Sequence, residues 1–256
     1  MKRLQPRFWQ RRQLATVLLL TALTTGCVPP GKPDPARRPQ MPDQVLNFDR
    51  LFATNCAGCH GANGELGPAP PLNNALFAAI VPEEELLSVI RNGRLGTPMP
   101  PFAQERGGSL TDKQINVLAE GIKTQWKSDQ PIAASPPEYA IAHSLDLLGS
   151  HESLKRGEAI FARACANCHG DHGKGIGSDG TAKNAINVPA FLALISDQAV
   201  RRTIICGRRD LGMPDFTEDK GRSSDFQPLT SDDIENLVEL IANWRATGSA
   251  LVQTEQ

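Results

Sequence analysis

Two stretches of this 256-residue chain hold thiols and an imidazole at the same short spacing. "FATNCAGCHGANG" contains Cys56, Cys59 and His60, and "FARACANCHGDHG" contains Cys165, Cys168 and His169. Cys-x-x-Cys-His supports three chemistries. A redox dithiol needs the pair beside a strand–helix unit, and no β-rich pattern flanks either copy. A structural zinc site needs four ligands; His172 follows His169 by three residues, but nothing similar stands near His60. Covalent haem attachment uses two thiols on the vinyl groups of one porphyrin edge and places the next residue's imidazole under the iron. Duplication of the whole pattern favours the third chemistry, so two copies predict two covalently bound haem c groups. A large apolar cofactor would also supply core to a chain with 5% aromatic residues and one Tyr.

The elements that position these residues repeat as well. A short helical pattern precedes each motif, with Phe52 and Phe161 four residues before the first Cys. A Gly-rich loop and a Pro segment ("PPLNN", "VPAFL") follow, then a helical stretch, "PEEELLSVIRNG" or "SDQAVRRTIICG". A Met-Pro-x-Phe loop comes next, placing Met99 and Met213 43 and 48 residues after the first Cys of their motifs. Each unit closes on a helix. In "LTDKQINVLAEGIKTQW", Thr111 and Gln114 have capping-box spacing, and Ile115, Leu118, Ala119 and Ile122 share a face. In "LTSDDIENLVELIANW", Ile234, Leu237, Val238 and Ile241 repeat that face. The expected fold is all-α: two tandem helical domains over 44–128 and 151–248, rich in loops because the chain has 22 Gly and 20 Pro. Residues 129–150 join them and 249–256 form a C-terminal tail. The Pro-containing stretch from Ser128 to Ser144 reads as either a linker or a strap across a domain face.

Residues 1–27 read as an export signal: a basic leader (Lys2, Arg3, Arg7, Arg11, Arg12), a short apolar run and "LTTGC". That ending resembles the lipobox of bacterial lipoproteins, which implies lipidation at Cys27, although Thr24 stands where Leu is usual. Residues 28–43 form a Pro-rich tether. Cleavage before Cys27 leaves 22 basic against 28 acidic side chains, a net charge of about −6, and no basic surface for nucleic acid.

From about residue 44 to 248 the chain resembles class I cytochromes c, specifically the two-domain bacterial kind. The resemblance implies His60 and His169 as proximal iron ligands, and Met99 and Met213 as distal ones. Thioether ligation favours Fe(II) and leaves no open coordination position, which suits electron transfer. A Pro carbonyl commonly accepts the proximal His ring N–H in that family, and Pro71 and Pro189 are the candidates. The implied location is periplasmic, lipid-anchored at the outer face of a bacterial cytoplasmic membrane. Implied partners are a quinol-oxidising complex upstream and a terminal oxidase or reductase downstream, and similar dihaem domains also occur as fixed subunits of respiratory assemblies. Cys206 is left over after four haem thiols and one lipid site. It reads as a small buried residue, or as a haem ligand in a thiosulfate dehydrogenase-like oxidoreductase. Arg201, Arg202, Arg208 and Arg209 read as a solvated basic run near the second Met loop, available to haem propionates or an acidic partner.

Overall fold

The computed structural model describes residues 34, 39–128, 135–141, 149–177 and 182–254. Cys27, the export signal, most of the tether and His143 lie outside the described residues. Helix α1 (Phe48–Asn55) starts where the Asn47 side chain accepts the Arg50 N–H at 2.9 Å. A single further turn, α2 (Ala57–His60), carries the first motif. The next two are α3 (Ala75–Ile80), capped by Asn74, and α4 (Glu83–Asn92). Helix α4 has three Glu in its first turn and Arg91 in its last, the charge order its dipole favours. The first half closes on α5 (Asp112–Gln125), whose Thr111–Gln114 capping box forms as its spacing predicts.

The second half repeats this order: α6 (His151–Ala164), α7 (Ala166–His169), α8 (Pro189–Leu192), α9 (Asp197–Cys206) and α10 (Ser231–Thr254). Among the described residues, β-structure is limited to isolated bridges. Helix α10 runs on to Thr254, so 249–254 continue that helix where a tail is expected. The folded part begins slightly early too. Gln114 Nε2 donates to the Pro42 and Val45 carbonyls at 2.8 and 3.1 Å, tying down a short turn at Pro42–Gln44.

In each half the first and last helices pack together. The Phe52 ring meets Trp126 edge-on at 5.3 Å, and Phe161 meets Trp244 at 5.1 Å. The apolar faces expected on α5 and α10 are buried. Gly157 lets α6 approach α10: a Cβ there would stand 2.5 Å from the Asn236 carbonyl oxygen.

The halves also pack against each other, and residues from Pro42 onward form one unit. Asn74 Nδ2 donates to the Cys206 carbonyl at 3.1 Å, at the C-terminal end of α9. The Arg202 guanidinium from α9 lies over the Phe77 ring of α3, 3.5 Å from its centroid. Residues 135–141 are a strap. Tyr139 is buried with its ring 6.1 Å from Phe77, and its carbonyl accepts from Gln198 Nε2 at 2.7 Å. Arg201 Nε donates to the Glu138 carbonyl at 3.0 Å.

Of the basic run only Arg209 is solvent-exposed. Arg201 and Arg202 are 1% and 8% exposed, because α9 turns them into the strap and the other half. Arg208 forks onto Asp210 at 2.9 and 2.8 Å, and Arg209 pairs with Asp215 and Glu218 at 3.0 and 2.8 Å. Asp210 also accepts the Leu66 N–H at 3.4 Å, a link across the halves.

Two expectations follow. Gly→Ala inside a helix ordinarily stabilises by up to about 1 kcal/mol, but Gly157→Ala will lower the urea midpoint of the protein, since backbone blocks the new methyl. The bonds from Arg208 hold the Asp210 carboxyl below its ordinary range. A depressed carboxylate contributes stability above its unfolded pKa and loses it as pH falls through the folded one. Asp210→Asn will therefore be less stable than wild type at neutral pH, with the gap closing below about pH 4 in urea titrations.

Candidate functional site

Both motifs sit at a break between helices. The Cys56 carbonyl accepts N–H bonds from Cys59 and His60 at 3.2 and 2.9 Å; the Cys165 carbonyl accepts from Cys168 and His169 at 3.2 and 3.0 Å. One tight turn thus projects two thiols and one imidazole from each half. All four thiols are free, the first of each pair half-buried and the second exposed.

Each imidazole is oriented by a backbone carbonyl. His60 Nδ1–H donates to Pro70 O at 2.8 Å, and His169 Nδ1–H donates to Asn184 O at 2.7 Å. A carbonyl only accepts, so the proton is fixed on Nδ1 and the Nε2 lone pair is free for a metal. Burial pushes the His60 imidazole below its usual range, against its bond to Pro70 and with Arg202 and Arg94 adding to the effect. That keeps the ring neutral, as a ligand must be.

The acceptors differ from those expected. Ala69 N–H bonds to the Cys59 carbonyl at 2.9 Å, setting a register in which Pro70, and not Pro71, faces the ring. The Pro71 carbonyl is taken by the Arg202 guanidinium. In the second half Pro189 opens α8, and its carbonyl accepts the Ala193 N–H at 2.9 Å within that turn. Asn184 replaces it because its left-handed backbone, φ 58°, presents the carbonyl to His169. Nothing in the residue type announced this, beyond the tolerance of Asn for that conformation.

The Met loops fold back on the helices before them. Arg94 N–H donates to the Met99 carbonyl at 3.1 Å, and Arg208 N–H to the Met213 carbonyl at 3.0 Å. Gly93 and Gly207, at φ 69° and 68°, make the turn, and a Cβ on either would collide with those same Met carbonyls at 2.6 and 2.7 Å. Both Met residues are half-buried.

These donor sets fit haem c and not the competing chemistries. Burial raises Cys56 to about 12 and Cys165 to about 11, opposite to the activated thiol of a redox pair. Among the described residues no cluster of three or more His, Cys, Asp or Glu is arranged to hold a metal ion. Nine large apolar side chains are exposed among the described residues. Seven of them (Leu66, Leu95, Ile176, Val188, Phe191, Leu194, Leu211) fall between a Cys pair and its Met, in the segments a porphyrin would cover. Cys206 is 3% exposed at the junction of the halves, and burial pushes its thiol up to about 12. It is built as a packing residue. His172 is exposed in its loop, and His151 is exposed at the start of α6.

Comparison with known proteins gives the family. The family described as cytochrome c oxidase, cbb3-type, subunit III matches residues 43–120 and 152–241, one segment per half, and the chain belongs to that family. The cytochrome c subunit of the cytochrome bc1 complex of Mycobacterium bovis is 29% identical over 81% of this chain and 71% of its own length. The cbb3-type oxidase subunit CcoP of Rubrivivax gelatinosus is 30% identical over 55% of this chain, which spans only 39% of that relative. Cytochrome c55X of Pseudomonas aeruginosa is 33% identical over 43% of this chain and 92% of its own length. Among the described residues no helix is long and apolar enough to cross a membrane.

Proposed function

We propose that this chain is a dihaem c-type cytochrome passing single electrons between membrane redox complexes of a respiratory or related chain. Cys56 and Cys59 hold the first haem, with His60 and Met99 as axial ligands. Cys165 and Cys168 hold the second, with His169 and Met213. The observation that carries this reading is the duplicated imidazole–carbonyl bond beside a free Cys pair, with a Gly-turned Met loop in each half. When bound, haem iron with His/Met ligation supplies a reversible one-electron centre without an open coordination position.

The chain's own residues have three tasks. The Pro70 and Asn184 carbonyls orient the imidazoles, and the turns at Gly93 and Gly207 set the Met residues. The paired first and last helices shield each site from water. The buried, protonated Cys206 thiol gives no support to a thiosulfate-oxidising haem with a thiolate ligand. The relatives belong to a cytochrome bc1 complex and cbb3-type oxidases, which supports redox complexes as partners: a quinol-oxidising complex upstream and a terminal oxidase or reductase downstream. Lipidation at Cys27 would tether the protein to the outer face of the bacterial cytoplasmic membrane and raise its effective concentration near both.

Two experiments test this. Replacing Cys56 and Cys59 by Ser will halve the haem-to-protein ratio of matured protein, and replacing all four motif cysteines will leave it colourless; pigment that survives the fourfold change refutes the assignment. Met99→Ala and Met213→Ala will each remove about half of the weak long-wavelength Met–iron absorption of the oxidised protein. For the anchor, Cys27→Ser will move the protein from the membrane to the soluble fraction, and continued membrane association of that variant would count against lipidation.

A further inference from the structure

Arg202 is the buried charge that the haem scaffold does not require. It belongs to the second half, on α9, yet its guanidinium contacts lie in the first. It donates to the Pro71 carbonyl and covers the Phe77 ring. Pro71 directly follows Pro70, whose carbonyl orients His60. The corresponding place on α4, in the register that aligns Gly93 with Gly207 and Met99 with Met213, is Ser88. The cation is therefore a feature of the junction and has no counterpart in the other half.

Among the described residues its charge has no carboxylate side chain beside it. Of the guanidinium groups around the junction, Arg94 has Glu85 at 3.7 Å and Arg208 has Asp210 at 2.8 Å. Among the described residues no carboxylate pairs with Arg202; its partners are a carbonyl and an aromatic face. Burial lowers its pKa to about 10, so it remains a cation at neutral pH. A fixed positive charge in a poorly solvated place acts over longer range than one in water.

We infer that Arg202 is a tuning residue for the first iron centre: the second half lends it a buried cation that favours the reduced state and sets its potential above the value its own half would give. This rests on His60 being a haem ligand, as proposed above. Oxidation adds one positive charge at the iron, so a nearby cation opposes it; the cations beside the second centre, Arg163 and Arg222, both come from its own half. The Ala69 N–H bond to the Cys59 carbonyl, which sets the register of Pro70, does not involve Arg202.

The test uses matured dihaem protein in a Met213→His background, where the second haem titrates at a separate, lower potential. In this background Arg202→Gln keeps a donor for Pro71 but removes the charge, and Arg202→Lys keeps the charge. Spectroscopic redox titration is expected to show the reduced-to-oxidised ratio of the first haem, at a fixed potential, falling about tenfold in Arg202→Gln, about 59 mV for one electron. Arg202→Lys should stay near the parent, and the second haem should not move in either. A first midpoint unchanged in Arg202→Gln, with pigment and Met–iron absorption intact, overturns the inference; so does an equal shift of both haems, which would mean general loosening. Should Arg202→Gln not accumulate, Arg202→Lys decides alone, and a tenfold fall there defeats the charge account. Absence of haem at Cys56 and Cys59 in the parent would instead defeat the haem assignment itself.

Discussion

The bond from an imidazole Nδ1–H to a backbone carbonyl, made once in each half at 2.8 and 2.7 Å, is what the remaining architecture exists to hold. A histidine on a one-turn helix could otherwise rotate about two side-chain torsions and present either nitrogen. The carbonyl removes that freedom, selects the tautomer and leaves one lone pair in a defined direction. The loops that deliver the carbonyl are different: a Pro-rich turn in the first half and a longer turn with a left-handed Asn in the second. The same geometry at the ring is thus reached from two different loop sequences.

Around that bond the packing is economical. Each half relies on one aromatic edge contact where its first and last helices meet, Phe52 with Trp126 and Phe161 with Trp244. Much of the apolar surface left outside these contacts lies in the segments flanking the Cys pairs and Met residues. Small helical domains seldom bury enough side-chain surface to be secure on their own. A covalently held porphyrin would complete such a core, which joins maturation of the cofactor to stability of the fold.

Much of this was legible in the sequence. The Cys-x-x-Cys-His runs, the Met loops in register and the 3.6-residue apolar faces of the closing helices each carry a local pattern, and local patterns are what a single sequence displays. The capping box at Thr111 and Gln114 formed as its spacing required. What was not legible depended on register or on distance along the chain. Pro70 in place of Pro71 is a shift of one residue set by the Ala69–Cys59 bond, and Asn184 in place of Pro189 follows from a turn conformation. Arg201 and Arg202 look like surface charges because arginine ordinarily is one; the strap and Ser231 bury the first and the other half buries the second. The strap over 135–141 was ambiguous for the same reason, since the partners of Tyr139 come from both repeats.

The junction makes the two repeats unequal. Phe77 is the third residue of α3 and lies beneath Arg202, whereas Phe191, third in α8, is 42% exposed. One copy became the socket and the other the plug, so neither could now stand in for its sibling. The contact is directional, so the molecule has a front and a back that a single repeat would not have.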